Sequence, residues 1–541
     1  MQINFSAATI LAVAVFLRVL SPQGASCDNT TYGKEIQANI QNVTTIALNQ
    51  DRHYFDLMDA INKTMQLQPS ILLQKESVNQ NAGILRSSAG DFDWRLESYS
   101  LFSKDYSPLP IGTYYSQQES FTTGLKLGRL FRSGLYFEPN FQYSQNQAEV
   151  KDEFLQYQPN QPIQKMARVS FLLRVPLLQG FGEKNTAVRE ISAGHELDAA
   201  RFNLLFKVSQ TVQDTALAYW NYRAAYARLE VLKRSEGLAR EILDKTDALV
   251  KADELAAADL QNVAANLADK ESSRISGELA VNEARTSLGL AIGMPYGQIS
   301  QIPEPTGSFP LLDMKLLAKK LHDSAAYFSI AMNNRQDLQV LKKQIQSLDA
   351  QVVAARDQLS PMLNMELSLG ADNSISGSGF QRTMQTVEYR QKNPDWSTGI
   401  RFVYPIGNNT ARGNLEQALS RFNQGRIQLM ELERTIQSTI RLVLSSLVNN
   451  SQEIEKANEA VRTYEVAVSN EREKYLMGES TLLDLLYIQD RLDAAQLNRI
   501  SALQRAASNL TRLRYEAGKL VRFENGEGRV DVEDLIAVLV P

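Results

Sequence analysis

The sequence predicts a mixed α and β protein built from two internal structural repeats. Two observations carry that prediction. Blocks of the chain recur at a fixed offset, and within each half a helical period gives way to a period of two. Gln210-Thr211-Val212-Gln213 returns as Arg434-Thr435-Ile436-Gln437, and Asn185-Thr186-Ala187 as Asn409-Thr410-Ala411. Asp259-Leu260 returns as Asp484-Leu485, and Ala291-Ile292-Gly293 as Glu516-Ala517-Gly518. The offset is roughly 224 residues at the start of this block and about 225 at its end. Upstream, Met65 pairs with Met332 at an offset of roughly 267, so a surplus of about 40 residues lies in Phe92–Leu177 relative to Leu359–Tyr404. Two copies are too few for a solenoid and read as halves of one pseudo-symmetric object.

At the N-terminus, Ala7–Leu17 is apolar but too short to span a bilayer as a helix. It fits the core of a signal peptide occupying residues 1–26. Cys27 follows Gly24-Ala25-Ser26, small residues that resemble a bacterial lipoprotein cleavage site, which makes it a lipidation candidate. It is also the only cysteine, so no internal disulfide can form. The first repeat then runs over 27–310, the second over 311–518, and 519–541 is a C-terminal tail.

In the first repeat the pattern predicts a helix over 36–88, a β segment over 92–177, a long helix over 186–251 and a return helix over 256–292. The second repeats this with a helix over 311–358, a β segment over 359–404, a long helix over 411–477 and a return helix over 481–517. The long helix of the second half carries an apolar ladder from Leu415 through Ile436, Ile440, Val443, Leu447, Val461, Tyr464 and Val468 to Tyr475. Its steps of three and four are coiled-coil spacing. No proline occurs between Ala411 and Met477, and a helix of that length spans about 100 Å. Asn185 and Asn409 are candidate N-caps. The return helices reach only about 57 Å, so the helices over 36–88 and 311–358 must supply the missing length.

In the β segments, Leu363, Met365, Leu367 and Leu369 alternate with polar residues or glycine, as do Trp396, Thr398, Ile400, Phe402 and Tyr404 with Ser397, Gly399, Arg401 and Val403. Val169, Phe171, Leu173 and Val175 behave alike in the first half, together with Leu135, Phe137, Phe141 and Tyr143. Alternating segments of about ten residues with aromatic ends are the signature of outer-membrane strands. A soluble sandwich with one wet face alternates too, but the accompanying long helices favour the membrane. The stretch Ala371–Gly379, rich in Asn, Ser and Gly, reads as an extracellular loop.

The net charge of −4 comes without a basic stripe, which argues against nucleic acid. His53, His195 and His322 are scattered without metal-ligand spacing. Gly180–Thr186 has the glycines of a phosphate loop but not its Gly-Lys-Thr end. The expectation is a chain that is not an enzyme and carries no cofactor or metal.

Val175-Pro176-Leu177-Leu178-Gln179-Gly180-Phe181-Gly182, its echo Val403-Tyr404-Pro405-Ile406-Gly407, Asp259-Leu260-Gln261-Asn262 and Gly478-Glu479-Ser480-Thr481-Leu482-Leu483-Asp484 resemble the strand-to-helix junctions and helix tips of the TolC-like outer-membrane efflux protein family. The resemblance covers nearly all of the mature chain. It implies an outer-membrane β-barrel plus a long periplasmic α-helical barrel, closed only as a homotrimer. Barrel physics agrees, since open strand edges cannot persist in lipid. It also implies a passive channel of a tripartite efflux or type I secretion system in a Gram-negative outer membrane. Its partners would be outer-membrane lipids, a periplasmic adaptor (membrane fusion) protein and an inner-membrane transporter of RND, ABC or MFS type. The alternative is a structural or adhesive coiled-coil stalk on a membrane anchor.

Carried across by the resemblance, Asp259, Asp484 and Tyr475 match a periplasmic gate. Ser480 and Tyr487 stand where the family has a lock arginine and a second acidic ring. Adaptor docking falls on Asp253, Glu254, Leu255, Gly478, Glu479 and Ser480 at the helix tips. The family further implies four strands per chain and twelve in the trimer, which is the expectation here. Extra alternation in Phe121–Leu127 and Leu135–Tyr143, joined by Phe131–Gly134, offers the alternative of eighteen.

Overall fold

The computed structural model describes residues 54–108, 115–151, 162–252, 257–310, 324–387, 393–477, 479–524 and 527–530. These divide into two compact units, each described by itself. One takes residues 83–195 and 346–423; the other takes the described residues of 42–82, 196–345 and 424–541.

The first unit is built on one antiparallel sheet of six strands: β1 (Arg95–Pro108), β2 (Tyr115–Leu130), β3 (Tyr136–Lys151), β4 (Gln164–Pro176), β5 (Met362–Ser376) and β6 (Asn393–Val403). Their order in the sheet is their order in the chain. Four strands per chain was the expectation, and it does not hold. The β2–β3 hairpin lies inside the sheet, with β1 paired along its whole length to β2 and β3 paired to β4. Backbone pairing decides this, because a hairpin between two strands satisfies both of its own edges. Phe131–Gly134 forms the hairpin turn: the Phe131 amide donates to the Leu135 carbonyl at 2.7 Å, and Gly134 takes a φ of 92°.

The loop expected over Ala371–Gly379 shrinks to Gly377–Gly379. β5 continues to Ser376, each residue held in register by β4, from Val169 opposite Ala371 to Gln164 opposite Ser376. A short helix, α7 (Phe380–Val387), follows.

The second unit is helical. It contains α1 (Leu57–Leu67) and α4 (Ala257–Ile292) of the first half, and α5 (Ser324–Asn334) and α9 (Leu482–Glu516) of the second. α2 (Pro69–Ala89), α3 (Val188–Lys251), α6 (Gln336–Asp357) and α8 (Asn409–Leu476) each run through both units. α3 and α8 hold 64 and 68 residues. Of the helices expected over 36–88 and 311–358, residues 36–53 and 311–323 lie outside the described residues, and the described parts are interrupted at Gln68, before Pro69, and at Arg335. No described helix is long and apolar enough to cross a membrane.

The N-cap expectations fail by a residue or more. Asn185 lies within a one-turn helix, Glu183–Thr186, and Asn409 is the first residue of α8 rather than the residue before it. Asn408 holds that preceding place with a φ of 43°, a conformation asparagine tolerates.

The ladder of α8 does bury. Ile436, Ile440, Val443 and Leu447 pack with Leu510 and Leu513 of α9, and Val461 packs with Leu492 and Ala495. A separate core joins Ile61, Val212, Tyr219, Trp220, Leu288 and Ile292. Ile275 and Leu279 on α4, and Ile427 and Met430 on α8, stay exposed as apolar pairs one turn apart.

Candidate functional site

The sheet has two chemically opposite faces, because side chains alternate along each strand and paired residues share a side. One face carries Phe121 and Leu125 of β2, Phe137 and Phe141 of β3, Phe171 and Leu173 of β4, Leu367 and Leu369 of β5, and Trp396 and Ile400 of β6. The apolar character therefore runs from the hairpin through β6, while on β1 the same face holds Leu96 and Phe102 beside Ser98 and Ser100, with the Lys104–Glu119 ion pair toward its far end. The opposite face is polar and laced with charge pairs. Arg174 donates to Glu366 at 2.9 Å, Arg168 is bonded to Asp395, and the Lys126 ammonium lies 5.1 Å from the centre of the Tyr99 ring. The edge strands β1 and β6 each keep one edge unpaired among the described residues.

At the sheet's helix-side end, the junction motif becomes a fixed turn. The Gly180 amide donates to Asp357 at 2.7 Å, the Thr186 hydroxyl to the Gly180 carbonyl at 2.8 Å, and the Gly182 amide to the Ser133 carbonyl at 3.0 Å. A Cβ on Gly134 would collide with the Gly180 carbonyl and Pro176, so this position requires glycine by space as well as by φ.

The tip of the second half is built from the end of α8 and the start of α9. Thr481 is the N-cap of α9: its hydroxyl accepts from the Asp484 amide at 3.2 Å and donates to the Asp484 carboxylate at 2.6 Å. Asp484 is exposed there, and Asp259 occupies the first turn of α4. Tyr475 packs at the same tip, against Val263, Leu482, Leu486, Ile242 and Leu243. Ser480 donates to Glu471 and holds that carboxylate below its usual range. Tyr487 accepts a hydrogen bond from Arg491 at 2.7 Å. A groove of about 120 Å³ opens beside the tip, lined by Leu238, Ile242, Val468, Arg472, Tyr475 and Leu482. Cys27, Asp253, Glu254, Leu255 and Gly478 lie outside the described residues.

Two charge clusters, each with a buried member, gave little signal in the sequence. Lys270 of α4 reaches Asp490 at 2.6 Å and Asp493 at 3.1 Å on α9, and Asp493 also accepts from Ser235 of α3. Burial pushes the Lys270 ammonium down, but its hydrogen bonds to Asp490 and Asp493 outweigh that and hold it above the usual lysine value. Arg335, 8% exposed, is paired with Asp337 at 2.7 Å and with Glu516. Apart from the local pair Arg335–Asp337, these contacts link residues from different helices, and only the spacing of Asp490 and Asp493 about one turn apart hinted at a shared face.

Residues 328–519 match the outer membrane efflux protein family. The fold resembles the CmeC outer membrane channel of Campylobacter jejuni, with TM-score 0.61 and 14% identity over 86% of this chain and 85% of that one. It also resembles the outer membrane protein VceC of Vibrio cholerae, with TM-score 0.60 and 16% identity over 85% and 96%. The open state of the MtrE outer membrane channel of Neisseria gonorrhoeae gives TM-score 0.58 and 14% identity over 85% and 88%. No curated sequence matches the chain. The resemblance read from the sequence thus holds as a family match over 328–519, and as a common fold over most of the chain.

Proposed function

We propose that this chain, which over residues 328–519 matches the outer membrane efflux protein family, is the subunit of a passive channel through a Gram-negative outer membrane, with its helices in the periplasm. The observation that carries the reading is the two-faced sheet with both edges open. Such a sheet belongs in lipid only when other copies close it, with the apolar face outward and the charge pairs of the polar face lining water. β1 and β6 run antiparallel to each other, as the end strands of a six-stranded up-and-down sheet must, so β6 of one copy can pair with β1 of the next.

The resemblance gives the copy number as three. With six strands per chain and an apolar face that includes the hairpin, the barrel holds eighteen strands. The unpartnered pairs Ile275/Leu279 and Ile427/Met430 supply helix surface for contact between copies.

Asp259, Asp484 and Tyr475 form the periplasmic constriction in this reading, and an adaptor protein docks at the tips beside Glu479 and Ser480, using the groove along Tyr475. An inner-membrane transporter supplies substrate. Cys27 carries the lipid anchor. The chain contributes a lumen and a gate rather than chemistry.

The test is single-channel recording of the purified full-length protein in planar bilayers. Discrete, stable conductance steps are expected. A folded oligomer that inserts but never conducts, under any applied voltage, would favour the adhesive stalk.

A further inference from the structure

The helix α7, Phe380–Val387, follows β5 and lies against the apolar face of the sheet, not the polar one. Three strands hold it there. Lys165 of β4, buried, donates to the Gly379 carbonyl at 2.9 Å and to the Thr383 hydroxyl at 2.8 Å. Asn373 of β5 donates to the carbonyls of Gln385 at 3.1 Å and Thr386 at 3.2 Å. Tyr143 of β3 is 3.5 Å from the Thr383 hydroxyl. Lys165, Asn373 and Tyr143 sit on the same side of their strands as Phe171, Leu369 and Phe141.

The helix presents three different sides. Thr383 and Thr386 meet the sheet, and Thr386 is fully buried. Gln381, Arg382 and Gln385 are exposed, with Arg382 donating to Gln385 at 3.3 Å. Phe380, Met384 and Val387 form a stripe at spacings of four and three, exposed by 54%, 45% and 43%. A helix made only to cap Lys165 and Asn373 needs no such stripe.

Its height on the sheet says what covers the stripe. The helix-side end of β4 lies near Val175, and α7 binds at Lys165. Ten residues at about 3.3 Å each, tilted by about 40°, rise about 25 Å. That is about the height of the outward apolar band of an outer-membrane barrel. α7 therefore stands at the far rim of the band, where lipid and water meet.

We infer that α7 is an interfacial helix whose Phe380, Met384 and Val387 insert among the acyl chains of the outer leaflet, while Gln381 and Arg382 face water. The inference rests on the barrel reading. The stripe continues the lipid-facing surface of the sheet, and lipid hydrocarbon is the occupant that surface shares. A polar-sided amphipathic helix of this kind rests in the plane of the interface.

The test uses full-length protein in a Cys27→Ser background, reconstituted in phosphatidylcholine–phosphatidylglycerol vesicles. Single cysteines at Met384, Gln381 and Phe171 are spin-labelled, and collision rates with oxygen and with a water-soluble nickel chelate are measured. The oxygen-to-nickel ratio should be several-fold higher at Met384 than at Gln381, and close to that at Phe171. A ratio at Met384 equal to that at Gln381, with Phe171 still oxygen-rich, overturns the helix assignment alone. So does a label at Met384 that meets neither reagent, since a neighbouring copy would then cover the stripe. A nickel-rich Phe171 overturns the barrel reading and this inference together.

Discussion

Gln68 donates its side-chain amide to the main-chain carbonyl of Ala291 at 2.7 Å. The second half makes the same joint: Arg335 reaches the carbonyl of Glu516 at 3.5 Å. The residues correspond at the offsets of roughly 267 and 225 that relate the two halves. In each joint a helix break receives the end of a return helix, closed by a glycine with positive φ, 85° at Gly293 and 67° at Gly518. A Cβ on Gly293 would stand 2.8 Å from the Gln68 Cα, and one on Gly518 2.8 Å from the Asn334 carbonyl carbon. Glycine is required there by close approach and by backbone angle alike. What differs is the donor, a neutral amide in one half and a buried cation with two carboxylates in the other.

That difference predicts unequal mutational costs. Arg335→Met strands Asp337 and Glu516 without their cation and should destabilise the protein by about 3–5 kcal/mol. Gln68→Met removes one neutral hydrogen bond and should cost about 0.5–1.5 kcal/mol. Denaturant unfolding followed by helical circular dichroism will read both, and equal costs would mean that the charge cluster contributes nothing beyond its hydrogen bond.

Lys270 gives a pH-dependent prediction. Burial lowers its affinity for the proton, but Asp490 and Asp493 reverse the sign and raise its folded value above 10.5. A raised value means that the stabilisation is fully present below 10.5 and is lost as pH rises through the folded value. Lys270→Met should therefore be less stable than wild type by about 2–3 kcal/mol near neutrality, as expected when a buried charge loses its partner. The gap should narrow only in strongly alkaline solution. A gap that closes between pH 7 and 9 would point to another group.

At the tip, capping and gating can be separated. Thr481→Ala removes the N-cap and should cost about 1 kcal/mol while leaving ion selectivity alone. Asp484→Ala, alone or with Asp259→Ala, should raise conductance and reduce cation preference, since a ring of like carboxylates attracts cations. Bilayer recordings in which selectivity stays fixed in both aspartate variants would take these residues out of the pore.

The hairpin predicts lipid contact at both Leu125 and Phe137. Cysteines at these positions in a Cys27→Ser background should each be quenched by a lipid-phase spin probe, as eighteen strands require. Reaction with aqueous reagents alone would return the barrel to twelve.

The period change was enough to locate the sheet. Leu363–Leu369 falls inside β5 and Trp396–Phe402 inside β6, because a half-buried strand must alternate whatever surrounds it. The hairpin was equally visible in Phe121, Leu125, Phe137 and Phe141, and the family count hid it. Ala371–Ser376 looked like loop because its side chains are small and polar. Its conformation is set instead by the backbone of β4, a partner more than two hundred residues distant in sequence. The Lys270 cluster and the pairing of Arg335 with Glu516 were illegible for the same reason: their charges come from helices that only the fold brings together. For the gate, the sequence placed Asp484 at a helix start, and its bond with Thr481 is the local contact such a position makes.

The place of the β2–β3 hairpin in strand order carries an evolutionary consequence. Removing it would leave β1 beside β4, and those two strands still run in opposite directions, so every remaining pair keeps its polarity. Parity is conserved, and in the proposed barrel the seam between β6 and the next copy's β1 would be untouched. Pore width in this architecture can therefore change by whole hairpins, two strands in each subunit at a stroke, without redesign of the contact that holds the subunits together.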